Sequence, residues 1–271
     1  MIRLNYFLRR HPNLSLEEFQ EHWLEEHAVL LTGHASALRV RRYVQAHTLP
    51  DDPSGEMMRQ LYGTEGEPYD GVEELWWKSP QDLAAALETP EGQRGAEELL
   101  EDERRFVDFS RSCLWFCVDM PQINPAGEIV AKEGTTLLKG FYVIHLHPDL
   151  PVEDAEFHWL TCHGPLARQY GQFLPYQRYI QVRAVEGPVA AAWRTARGGM
   201  EEFPRMGNAE IWADRRELAS VAGPEVEEAF QVLVEDISYF ADARRSTAFV
   251  AKEHVIVDKK IIVPPLPKPV C

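Results

Sequence analysis

The chain has 271 residues, 45% of them hydrophobic and 26% charged, which suits about two folded domains of ordinary size with a substantial core. Acidic residues outnumber basic ones by 43 to 28, for a formal net charge of −15. That charge excludes nucleic acid and anionic membrane as expected partners, because both are held by clustered Lys and Arg.

Met1 to Arg9 reads as a strand. Arg9 and Arg10 cut its apolar run too short for a signal peptide, and no stretch reaches membrane-spanning length, so a cytoplasmic location is expected. After a His11-Pro12-Asn13 turn, Ser15 suits a helix N-cap, with Glu17 and Glu18 in the first turn. Leu16, Phe19, Trp23, His27 and Leu30 then recur at helical spacing. A second strand covers Arg39 to His47, a Gly/Pro-rich loop 48–68, and a third strand Val72 to Trp77. A helical region broken at Thr89-Pro90 leads to a fourth strand, Cys113 to Asp119.

The chain then starts again. Residues 11–45 align with 147–181 at a constant offset of 136, with 13 of 35 positions identical and no gap. His22-Trp23-Leu24 meets His158-Trp159-Leu160, His27 meets His163, and Arg42-Tyr43 meets Arg178-Tyr179. The offset persists at Glu74 and Trp76 (Glu210 and Trp212) and becomes 134 at Asp102 and Phe106 (Asp236 and Phe240). An internal repeat fixes architecture before anything else. Each copy has the order β-α-β-β-α-β of a ferredoxin-like unit, with both helices on one sheet face. The expected fold class is therefore α+β: two tandem ferredoxin-like βαββαβ units whose bare faces meet in an intrachain α/β barrel. The expected divisions are 1–119, a linker 120–137, 138–257, and a Pro-rich arm 258–271.

Strand alternation then assigns faces. On the second strands, Val40, Arg42, Val44 and Ala46 suit packing under helices. Tyr43, Gln45 and His47, with Tyr179, Gln181 and Arg183, are expected in the barrel. On the third strands, Glu74, Trp76, Asn208, Glu210 and Trp212 are expected there too. An aromatic cavity with few polar groups suits a flat, apolar molecule. A buried Glu74 or Glu210 would have a raised pKa and suit acid–base chemistry. His27 and His163 lie on the buried helix stripe. His22 and His27 stand about 140° apart on an α-helix, so they cannot share a metal. Cys113, Cys117, Cys162 and Cys271 form no metal or disulfide pattern, and no metal is expected.

The runs Leu14-Ser15-Leu16-Glu17-Glu18-Phe19, Trp23 to His27, Arg42-Tyr43-Val44-Gln45 and Tyr69-Asp70-Gly71-Val72-Glu73-Glu74-Leu75-Trp76 resemble the EthD family. The second half resembles it through His158 to His163, Arg178-Tyr179-Ile180-Gln181 and Lys252-Glu253-His254-Val255. The resemblance implies a dimeric α/β barrel fused in tandem, with functional roles at His27, His163 and the terminal pair Glu253 and His254; the first half departs from that pair with Val118-Asp119-Met120. Relatives on that barrel include cofactor-free monooxygenases, isomerases, polyketide cyclases, dehydratases and heme enzymes, so fold alone does not choose the reaction.

The first expectation is a cofactor-independent acid–base enzyme of lyase, isomerase or cyclase type, acting on an aromatic or polyketide-like small molecule. His27, His163, Tyr43, Tyr179, Glu74, Glu210 and His254 are its candidate catalytic groups. Trp76, Trp212, Gln45, Gln181, His47, Arg183 and Asn208 are its candidate binding groups. The alternatives are a monooxygenase, cofactor-free or with heme on His27 or His163, and a non-catalytic binder supporting an oxygenase pathway. A homodimer of the tandem chain is a further expected partner.

Overall fold

The computed structural model describes residues 1–125, 127–202 and 205–259. Most of the expected C-terminal arm thus lies outside the described residues. The first half forms β1 (Ile2–Leu8), α1 (Leu16–His22), α2 (Ala28–His34), β2 (Arg42–Thr48), α3 (Pro53–Tyr62), β3 (Gly71–Trp77), α4 (Pro80–Leu87), α5 (Pro90–Phe106) and β4 (Cys113–Ile123). The second forms β5 (Leu137–Val143), α6 (Val152–His158), α7 (Gly164–Tyr170), β6 (Tyr176–Val185), α8 (Pro188–Arg197), β7 (Gly207–Asp214), α9 (Arg215–Ser220), α10 (Pro224–Ser238) and β8 (Thr247–Asp258). β4 continues through Ile123, past the expected end of the first unit at 119.

The strands close in the order β1-β3-β2-β8-β5-β7-β6-β4, every pair antiparallel. The two halves join where β2 meets β8 and β4 meets β6. Closure removes every sheet edge and gives the bare faces of both units a shared interior.

That interior is packed rather than hollow through its middle. Phe7 stacks on Trp115 at 4.6 Å, and Phe141 on Phe249 at 5.2 Å. Two further cores lie outside the barrel, one under each unit's helices. The first holds Phe19, Trp23, Tyr43, Leu75 and Trp77, the second Trp159, Tyr179, Ile211 and Phe240.

The Ser15 cap is a full capping box: its hydroxyl accepts from Glu18 N at 3.1 Å, and the Glu18 carboxylate accepts from Ser15 N at 2.8 Å. Ser15→Ala should lower stability by about 1 kcal/mol in a urea melt, leaving the slope unchanged.

The segment read as a loop at 48–68 holds the helix α3, and its counterpart in the second unit holds α8. Asp52 caps α3 ahead of Pro53, and Gly63 ends it with φ 64°. These Pro and Gly residues are helix punctuation, not loop filler. Each inserted helix crosses to the other unit. α3 packs on β8, and its Tyr62 stacks on Tyr142 at 4.7 Å. α8 places Trp193 against Trp77 and Phe116, at 6.0 and 5.7 Å.

Candidate active site

Two places gather reactive side chains: a cavity between sheet and helices in the first unit, and one end of the barrel.

The helix-side site begins with a departure from α geometry. Trp23–His27 and Trp159–His163 are π-helical, a feature common at functional sites. The wider turn brings residues five apart onto one side. His22 Nε2 and His27 Nδ1 therefore both reach Asp102, at 3.1 and 2.8 Å. His158 and His163 grip Asp236 likewise, at 2.8 and 2.7 Å. The 140° separation expected from α-helical spacing does not apply here.

Glu73, on β3, faces this turn. Its Oε2 accepts from Trp23 Nε1 and from the Tyr43 hydroxyl, each at 3.1 Å, and lies 3.5 Å from His27 Nε2. Gln45 Nε2 donates to the Tyr43 oxygen at 2.6 Å and to Trp23 O at 2.7 Å, holding the phenol in place. Gly71 lets Trp23 lie flat on the sheet, since a Cβ there would sit 2.5 Å from the indole. His27 is 1% exposed. Burial disfavours its charged form, but the hydrogen bonds to Asp102 and Glu73 outweigh burial and raise its pKa to about 10. Burial pushes the Glu73 pKa up; the His27 partner outweighs it, and the net shift is downward. Asp102 is lowered in the same way, with His27 overcoming burial. At neutral pH the site is a carboxylate, an imidazolium and a second carboxylate in line.

Above this floor lies a mostly apolar cavity of about 200 Å³, reached by Leu4, Leu31, Val40, Trp77 and Leu99. Arg197, from α8 of the other unit, closes one side. It pairs with Glu103 at 2.6 and 2.7 Å and lies 5.1 Å from the Tyr6 ring centre.

The second unit keeps Trp159, Tyr179, Gln181, His163 and Asp236 but not the rest. Ala209 stands where Glu73 would be, and Ile237 where Glu103 would be. Tyr62, Tyr142, Tyr176 and Tyr179 fill the space, leaving about 20 Å³.

These contacts correct the face assigned to the second strands. Tyr43, Gln45 and His47 lie under the helices, with His47 stacked on Trp23 at 4.7 Å. Tyr179 belongs to the second helix-side core, and Gln181 bonds Trp159 O at 2.7 Å. Arg183 pairs with Glu156 of α6. Ala46, expected under helices, packs in the barrel with Ile180 and Val182. Both faces of these strands are buried, so hydrophobicity does not set their phase. The glutamines donate to the Trp23 and Trp159 carbonyls that open the π-turns, each of which also accepts a backbone N–H, from Ala28 and Gly164. His254 stands beside His47, ring centres 4.3 Å apart.

The third-strand assignment places residues as expected. Glu74, Trp76, Asn208, Glu210 and Trp212 face the barrel interior at one end. Lys139, 1% exposed, bonds Glu74 and lies 3.3 Å from Glu210 and 3.4 Å from Glu253. Arg3 pairs with Glu210 at 2.5 Å and Asp119 at 3.3 Å. Asn5 donates to Asn208 at 3.0 Å. Burial, opposed by Lys139, leaves the Glu74 pKa raised; for Glu210, Arg3 and Lys139 overcome burial and lower it. This end opens into a cavity of about 350 Å³ that Asn124, Pro125, Gly127, Glu128 and Ile129 also line.

Among the described residues no cluster has metal-ligand geometry. Heme does not fit either histidine: both His27 nitrogens face carboxylates, and the spaces of about 200 and 20 Å³ are small beside the roughly 300 Å³ or more of ordinary ligand pockets. No helix of the described residues is long and apolar enough to cross a membrane.

Sequence reasoning does not single out Glu73 or Glu103. The available signal is the repeat itself, where Glu73 and Glu103 meet Ala209 and Ile237 amid matching neighbours.

Residues 11–110 match the family described as EthD domain. No curated protein matches the chain. Among solved structures, an anthrone oxidase-like protein is similar at 12% identity and TM-score 0.57, covering 97% of this chain and 96% of that one. A candidate monooxygenase from Fusobacterium nucleatum is similar at 5% identity and TM-score 0.51, covering 94% and 92%. At such identities the likeness is one of fold.

Proposed function

We propose that this chain, whose residues 11–110 match the EthD domain family, is an enzyme that removes a proton from a planar, mostly apolar carbon acid or phenol in the first unit's helix-side cavity. The observation that carries this reading is the Glu73 carboxylate, buried at the cavity floor with Oε2 committed and Oε1 without a hydrogen bond to the described residues. Glu73 Oε1 accepts the proton. The His27 imidazolium, held by Asp102, lies beside the developing enolate or phenolate and stabilises its charge. Leu31, Leu99 and Trp77 exclude water, which strengthens these interactions. His27 is thus an electrostatic partner and Tyr43 a positioning residue for Glu73. Elimination, isomerisation or ring closure follows according to the substrate.

A second reading, oxygenation, draws on the fold shared with the anthrone oxidase-like protein. Deprotonating an electron-rich carbon acid yields a carbanion that passes one electron to dioxygen; the two radicals join as a peroxide, whose O–O bond breaks with loss of water to leave a ketone, so both readings share the first step.

The test is proton exchange. Purified protein incubated in D2O with anthrone-type and 1,3-diketone aromatics should speed deuterium entry at the acidic carbon, followed by NMR. Oxygen uptake in the same samples separates the two readings. Failure of exchange and turnover across the panel contradicts both.

A further inference from the structure

The barrel-end cavity is not used by this chemistry, yet its lining is written twice. Arg3 and Lys139 occupy equivalent positions on β1 and β5, and Arg42 and Arg178 on β2 and β6. Trp76 and Trp212 match on β3 and β7. The helix-side cavities have diverged between the halves, whereas this ring keeps cation for cation and indole for indole.

Three of the four cations are neutralised. Arg3 and Lys139 have the carboxylates described above, and Arg42 pairs with Glu128 at 2.6 Å and Asp258 at 3.1 Å. Arg178 is different. The position equivalent to Asp258 in the first unit is the neutral Asn124. Among the described residues Arg178 forms no ion pair, its buried Nε has no hydrogen bond, and its guanidinium lies 4.7 Å from the Trp212 ring centre. A partly buried guanidinium with idle donors is unfavourable until an anion meets them.

We propose that the barrel-end cavity binds a small planar monocarboxylate, its carboxylate on Arg178 and its plane beside Trp76 and Trp212. The space of about 350 Å³ is at the small end of ligand pockets and suits a single-ring acid. Glu74, Glu128 and Glu253 on the same walls oppose a second negative charge, so phosphate is disfavoured.

Benzoate, benzamide and inorganic phosphate titrated into the full chain, followed by tryptophan fluorescence and calorimetry, test this. Benzoate should bind saturably, with benzamide and phosphate at least tenfold weaker. Arg178→Gln should weaken benzoate at least tenfold, and Arg178→Lys less so, both with unchanged melting temperature. Glu73→Gln should bind benzoate as the parent chain does, which separates this site from the proton-transfer site. No saturable benzoate binding, equal binding by Arg178→Gln, or binding abolished by Glu73→Gln overturns the proposal.

Discussion

Glu73→Gln is expected to lower proton transfer by about 100- to 10,000-fold, the ordinary range for loss of a positioned general base. The amide keeps an oxygen for Trp23 and Tyr43, so the fold and the cavity should survive, and a thermal melt checks this. Glu73→Asp should recover part of the activity, because it keeps the charge at shorter reach. The pH profile follows from the two shifted groups. Activity needs Glu73 ionised and His27 protonated. It should fall in acid only below the usual glutamate range, and in base as pH passes about 10, with a broad plateau between. In Glu73→Gln the basic limb should move to lower pH, since His27 loses one of the carboxylates that raise its pKa. A profile with a limb near the ordinary histidine value of about 6.5 would remove His27 from this role.

His27→Ala carries the largest expected stability effect, about 3–5 kcal/mol. It leaves Glu73 buried with no cationic partner and costs Asp102 its nearer contact. At this chain length each kcal/mol lowers the melting temperature by roughly 2–4 °C. His163→Ala should cost less, because Ala209 leaves no second carboxylate and His158 still serves Asp236. The pH dependence has a definite sign. His27 has a folded pKa above its unfolded one, so its contribution is full below about 6.5 and is lost as pH rises through about 10. Glu73 and Asp102, with lowered values, contribute above the usual carboxylate range and lose that contribution in acid. Denaturant melts of parent and variant from pH 4 to 10.5 should therefore differ most near pH 6 and converge toward the alkaline end.

The architecture was legible because one offset carries through the sequence. Once His22-Trp23-Leu24 meets His158-Trp159-Leu160 and Trp76 meets Trp212, two four-stranded units and a closed barrel follow. The third-strand phase was legible too, since Leu75 and Ile211 alternate with Glu74 and Glu210. The second-strand phase was not. In a barrel sheathed by helices both faces of Arg42–Thr48 are buried, and Gln45 is placed by a backbone carbonyl at the π-turn rather than by polarity. The π-turn itself has no local signature; it shows in how Asp102 and Asp236 gather histidines from another element. The exchange of α3 and α8 between units depends on long-range packing, so Arg197 cannot be linked to Glu103 from spacing.

The proposed chemistry depends on where an aromatic substrate sits. A crystal structure of the full chain with a slow carbon-acid analogue should place its acidic atom within hydrogen-bond distance of Glu73 Oε1, beneath Arg197 and against Trp77. Finding that analogue only among the tyrosines beside His163, or only at the barrel end, would contradict it.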